Sequence, residues 1–590
     1  MRCHGRVSHC SSPRLCYSPT VHPVLHFGGI QDSVSGEQRR QCRSAAVSVD
    51  EQYVPFLESW DKTFIDTEEE PDGYFCRIEG ELPKDLRGTL FRNGSNRFEC
   101  GGYKVDHPYD GDGFLASLAI KDGRAYFRSR FVGTFEYHAE KKAGRVLFRG
   151  TFATQRATSN FGDLYVKNPS NTNIQYFKGN LWSLFEAGQP YRICPYTLET
   201  IGIDTLGGLI NTGLPFDLGS SMSNLLMGSM VGAAQKFVSG EDYFTSDGIP
   251  QHLINAGGHA VTAHPHVVDG TLCTFSYQMK MGIVDPTEIS FPPLYTEVRF
   301  MEFEDETMTL ARERTITIPG FAFLHDFAIT KSHYVLMKNP VTVDNAMYMS
   351  GKAPAASCVR WQGDKPTLLY MVPRDGSGDI KTFTLPSCFI FHHANAYEDG
   401  NDLIVDSIHY PSLPAVGKEA LPSQCIDPNA AFESRLRRVR ISDFNSTAYA
   451  VTMETMSSQY LEMPSVRDSC FGSQHRYVYG YESWFAKELI GISKIDTHDH
   501  AGTQTWFPEP QQFLLEPHFI GRDSSDLNNS NKEDDGWVIA QFFDSKTSHS
   551  GFFLFDARHI DRGPICKIWL EKPLPSGLHG CFTSDCLGIP

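Results

Sequence analysis

The chain has 590 residues, 41% of them apolar and 12% aromatic, with 34 prolines and a formal net charge of −17. That is ample for a large core, and it excludes the basic stripe expected of a nucleic-acid binder. No stretch reaches the ~18 apolar residues of a membrane-spanning helix. Residues 1–50 carry six arginines, no lysine and three acids, a balance of +3 against −20 for the remainder. The first 31 contain no Asp or Glu and are rich in Ser, Arg, Cys and His, which fits an organelle transit peptide better than a secretory signal. Residues 1–50 are therefore expected to be a transit peptide or disordered leader, and 53–590 a single domain. Of the 15 cysteines, Cys3, Cys10, Cys16 and Cys42 lie in the leader, and the rest form no CxxC pair, so reduced thiols are expected.

Strand signals dominate the domain. Asp-Gly or Asn-Gly turns recur at Asp72-Gly73, Asn93-Gly94, Asp122-Gly123, Asp247-Gly248, Asp269-Gly270, Asp375-Gly376 and Asp535-Gly536. The run His264–Tyr277 (HPHVVDGTLCTFSY) reads as a hairpin. Strands with frequent tight turns over this length predict an all-β fold, with a propeller favoured. Two insertions interrupt the rhythm, 207–257 as a cap and 524–535 as a solvated loop. Within the first, Leu218–Gln235 carries no charge and reads either as a helix in a membrane surface or as a buried cap helix.

Four histidine-bearing runs stand out: TAHPHVVDG (Thr262–Gly270), FLHDFAIT (Phe323–Thr330), FIFHHANAYEDG (Phe389–Gly400) and LPSGLHGCF (Leu574–Phe582). One histidine among 22 says little. Several that converge can hold a metal, and neutral imidazoles leave its full charge in place. A ligating imidazole also needs its second N–H anchored, most often on a carboxylate. A different arrangement, His264 and His266 on one strand face with Asp326, could hold zinc for hydrolysis.

Together with GTLFRNGSNRFE (Gly88–Glu99), DHPYDGDGF (Asp106–Phe114), LFEAGQPYR (Leu184–Arg192), LEMPSVR (Leu461–Arg467), LLEPHF (Leu514–Phe519) and EDDGW (Glu533–Trp537), these runs resemble the carotenoid cleavage oxygenase family. The resemblance covers about Gly73 to Phe582 in order. It implies a seven-bladed β-propeller with a helical and loop dome over the active-site face, and Fe(2+) held by four histidines. Carried over motif by motif, those are His264, His325, His392 and His579. His392 is preferred to His393 because the ligand lies three residues before Asn395. The family's glutamates behind the ligands map to Glu186, Glu462 and Glu516, which leaves His264 without a carboxylate. The remaining His259, His266, His393, His498 and His500 read as structural.

Spacing agrees with that assignment. In chain order the seven residues are separated by 78, 61, 67, 70, 54 and 63 positions, each about one four-stranded unit, and a ring of such units brings one residue from each to a common axis. The implied activity is cleavage of a C=C bond of a carotenoid or apocarotenoid with O2, giving two carbonyl products. KNPVTVD (Lys338–Asp344) and IVDSIHY (Ile404–Tyr410) look most like cyanobacterial-type apocarotenoid oxygenases. The partners would be a polyene, O2 and, through residues near Leu225–Phe237, a membrane surface; the location would be the plastid, or else the cytoplasm. A stilbene-cleaving enzyme and a polyene isomerase would share the iron site, and a carotenoid-binding protein without catalysis is a further alternative. Two departures from the family pattern are His266 after the AHP motif and Ser576-Gly577 before His579.

Overall fold

The computed structural model describes residues 54–67, 70–155, 165–217, 249–284, 293–414, 433–484, 489–522 and 533–590. Chain contacts divide the protein into units 1–47 and 48–590. The expected leader, the uncharged Leu218–Gln235 stretch, the Asp247-Gly248 turn and most of the 524–535 loop lie outside the described residues. Within them the fold is mostly β.

In chain order the large sheets have five, four, six, four, four and nine strands. The nine-stranded sheet contains two antiparallel groups joined by one parallel pair, Ile490 with Phe513. No described sheet closes on itself. The first sheet takes its inner edge from the far end of the chain: Gly577–Thr583 pairs antiparallel with Gly88–Asn96.

Apolar side chains pack sheet against sheet, because each sheet has two faces to cover. Leu115 and Ile174 share a cluster that joins the first sheet to the second, and Trp182 and Phe303 one that joins the second to the third. Phe300 packs with Tyr334, Val335 with Val405, Ile408 with Val478, and Tyr479 with Phe553, in four further clusters along the chain. The last strand group then packs on the first through Trp537 and Phe114. Every group thus has apolar neighbours on both faces, which is why Gly88–Asn96 is buried throughout while Arg124–Phe131, farther out, alternates.

Asp122-Gly123 and Asp269-Gly270 make the expected two-residue hairpin turns, with φ of 52° and 70°, and 49° and 74°. Asn93-Gly94 is no turn; it lies inside a strand. The Asn93 amide donates to Ser170 O, Asn173 O and Ser183 Oγ, tying the first sheet to the second. Gly94 is there for close approach, since a Cβ would stand 2.8 Å from Gly577 Cα.

Candidate metal centre

His264, His325, His392 and His579 meet, with one ring nitrogen from each lying within 4.8 Å of the others. His264 Nε2 is 3.0 Å from His325 Nε2, which is 3.2 Å from His392 Nε2. Nitrogens bound at right angles about a metal ~2.1 Å away sit about 3.0 Å apart. Three ring nitrogens that converge at this spacing suit a shared cation better than one another. The donor set fits a divalent transition metal.

Three of the rings are anchored from behind by carboxylates. His392 Nδ1 donates to Glu462 Oε2 at 2.7 Å, and His579 Nδ1 to Glu516 Oε1 at 2.7 Å. His325 Nδ1 lies 3.4 Å from Glu186 Oε1, a looser contact. Among the described residues His264 has no carboxylate partner. Burial pushes all three carboxyls up, but their contacts hold them below the usual range: His325 for Glu186, His392 for Glu462, and Arg92 then His579 for Glu516, which falls to about 2. The His264 ring, buried among three other imidazoles, is pushed far down and stays neutral.

Backbone irregularities aim these side chains. His392 falls where the pairing of Phe389–Asp399 shifts between Ile390 and His393, and Glu516 where Gln512–Gly521 shifts between Leu514 and Pro517. The ladder skips after Glu462, and His579 faces the shift between Arg92 and Gly94. Such bulges turn a side chain out of the alternating pattern. Met463, next to Glu462, takes φ of 51°, and its N–H donates to Glu462 Oε2 at 2.8 Å. His264 and His325 lie in irregular segments joined by Thr262, whose hydroxyl accepts from His264 N and donates to His325 O.

The other histidines of these motifs turn elsewhere. His266 Nε2 donates to Phe327 O at 2.8 Å and Asp326 Oδ1 at 3.1 Å, and His393 is bonded to Ser407 Oγ at 2.6 Å. His264 and His266 therefore do not share a zinc set with Asp326. His259 Nδ1 accepts from Asn211 N. His498 and His500 lie in and beside a short 3-10 turn at His500–Gly502.

Sequence reasoning left three contributors unassigned. Thr172 Oγ1 donates to Glu186 Oε2 at 3.1 Å, Tyr410 OH to Glu462 Oε1, and Arg92 Nη1 to Glu516 Oε2. Arg92 and Tyr410 sit inside quoted motifs, but only the pairing of strands shows what they touch. Phe323 and Phe391 flank His325, with ring centroids 6.4 and 5.3 Å away, and form an apolar wall.

A mostly-β protein with four imidazoles converging from separate strand groups belongs to the class that can hold a metal on histidine alone. The chain belongs to the family described as Retinal pigment epithelial membrane protein, which it matches over residues 64–584. It is 32% identical over 543 residues to the apocarotenoid-15,15'-oxygenase of Synechocystis, covering 89% of this chain and 96% of that protein. It is 27% identical over 545 residues to the carotenoid 9,10(9',10')-cleavage dioxygenase of Crocus sativus, covering 86% of this chain and 85% of the relative. The crystal structure of cobalt-substituted Synechocystis ACO superposes with a TM-score of 0.73 at 30% identity, covering 89% of this chain and 98% of that one. The resemblance to carotenoid cleavage oxygenases read from the motifs is borne out.

Proposed function

We propose that the protein is an Fe(2+)-dependent dioxygenase that cleaves a C=C bond of a carotenoid or apocarotenoid with O2, giving two carbonyl products. The observation that carries this reading is the convergence of His264, His325, His392 and His579 in a chain whose relatives are named carotenoid and apocarotenoid oxygenases. The four histidines would hold the iron. Glu186, Glu462 and Glu516 fix the direction of three rings and raise their basicity. Bound iron would supply the activation of O2, chemistry that no side chain provides. The Phe323 and Phe391 wall offers a conjugated polyene an apolar surface beside the imidazoles.

The sheet-on-sheet clusters that run from the first strand group to the last, and from the last back to the first, support a seven-bladed propeller with the imidazoles on its axis. The acid-free first 31 residues support import into a plastid, with the cytoplasm as the alternative. Uptake and processing of the full chain by isolated chloroplasts would support the first, and exclusion the second.

The activity is tested by purifying the protein without oxygen, adding Fe(2+), and supplying carotenoids, apocarotenals and stilbenes in detergent under air. New, shorter aldehydes from the polyenes are expected, and their lengths name the bond. Replacement of any one of the four histidines by Ala should abolish both iron retention and product. Cleavage of stilbenes alone, or iron retained without His392 and His579, would overturn the proposal.

A further inference from the structure

Glu186, Glu462 and Glu516 set three carboxylates behind the four rings. Each carboxylate spends one oxygen on its histidine and turns the other to a separate partner: Thr172, Tyr410 and Arg92 respectively. Two of these partners are neutral. The third is a guanidinium that is always charged.

Arg92 is 3% exposed and lies in the strand Gly88–Asn96. Its Nη1 donates to Glu516 Oε2, and its Nη2 donates to Leu578 O at 2.9 Å, one residue before His579. One planar fork therefore closes a loop through Glu516, His579 and Leu578. The facing strand leaves room for it. A Cβ on Gly580 would stand 2.8 Å from Arg92 Cδ.

The fixed charge of Arg92 gives the arrangement a purpose. A permanent positive charge behind Glu516 and His579 disfavours a trication at the rings more than a dication. In a buried site such a charge is screened less than in water. We infer that Arg92 is a positioning residue of the metal site, which aligns Glu516 with His579 and biases the site toward the ferrous over the ferric ion. This rests on the iron reading above.

The test is a redox titration of the iron-loaded full chain, with ferric iron followed by electron paramagnetic resonance. At one fixed potential, Arg92→Met is expected to raise the ferric-to-ferrous ratio at least tenfold over wild type, a fall in potential of about 59 mV or more for one electron. Arg92→Lys keeps the charge and is expected to stay within about threefold of wild type. Glu516→Gln removes a negative charge and should shift the ratio the opposite way, and Arg92→Met/Glu516→Gln should return toward wild type. A role in folding alone would move melting temperature without this pattern of opposite signs. Should Arg92→Met fail to fold, Glu516→Gln and Arg92→Lys decide the matter. An unchanged ratio in Arg92→Met, or in Glu516→Gln, would overturn the inference while leaving the iron site standing. Failure of the wild type to take up iron would overturn both.

Discussion

Glu398 reaches from one strand group to the next and takes three bonds at a single turn. Its carboxylate accepts from Thr330 Oγ1, from Ser332 Oγ at 2.9 Å and from His333 Nδ1 at 2.9 Å. Burial pushes this carboxyl up, but the bonds from His333, Thr330 and Ser332 prevail and hold it at about 2, well below its ordinary 4.5. A depressed carboxyl stabilises the fold above its unfolded value, and that contribution is lost as pH falls through the folded one. Glu398→Gln should therefore lower the melting temperature most near neutral pH. The gap to wild type should narrow between about 4.5 and about 2 and close below that. Melting curves across this range check it, and a gap independent of pH would contradict it. At this scale the sequence was most legible at the candidate site, because the family resemblance carried by the motifs assigns His264, His325, His392, His579 and the three glutamates, and the structure brings the four histidines together with the glutamates behind three of them. Arg92 and Tyr410 were not legible in the same way. Their partners are 424 and 52 positions distant in sequence, and only strand register places them in contact.

Strand groups hold together through the faces they share. Phe300 and Tyr334 stack across the junction of the third and fourth sheets, with centroids 4.3 Å apart and planes 4° from parallel, and neither is exposed. Phe300→Ala removes a ring that nothing nearby replaces, so it should cost about 3–5 kcal/mol in chemical denaturation. The four-histidine site lies elsewhere, and iron uptake by the folded variant should not change. A loss under 1 kcal/mol would mean that the junction repacks. Hairpins at Asp122-Gly123 and Asp269-Gly270 were legible because the turn itself demands positive φ. Asn93-Gly94 misleads for a physical reason: the same dipeptide also suits a strand where another backbone passes close and the Asn amide binds three acceptors. The bulges that aim His392, Glu462 and Glu516 leave no clear trace in residue type, since they are set by the pairing of whole strands.

An early strand and the last strand of the described fold meet at the site. The strand Gly577–Thr583 carries His579 and pairs with Gly88–Asn96, which carries Arg92, so the centre is complete only when these two strands, far apart in sequence, have met. Length and turn frequency made a mostly-β fold legible, and the motifs carried the family. The face-to-face order of the sheets, with the last packed on the first, required the structure, because no repeat is visible in the sequence. The most direct test of the proposed dioxygenase activity is turnover of an apocarotenal by the Fe(2+)-loaded protein under ¹⁸O₂, with the products reduced at once to alcohols to stop exchange with water. Cleavage by a dioxygenase places one labelled oxygen atom in each of the two products. Label in neither product, or an unshortened isomer, would contradict it.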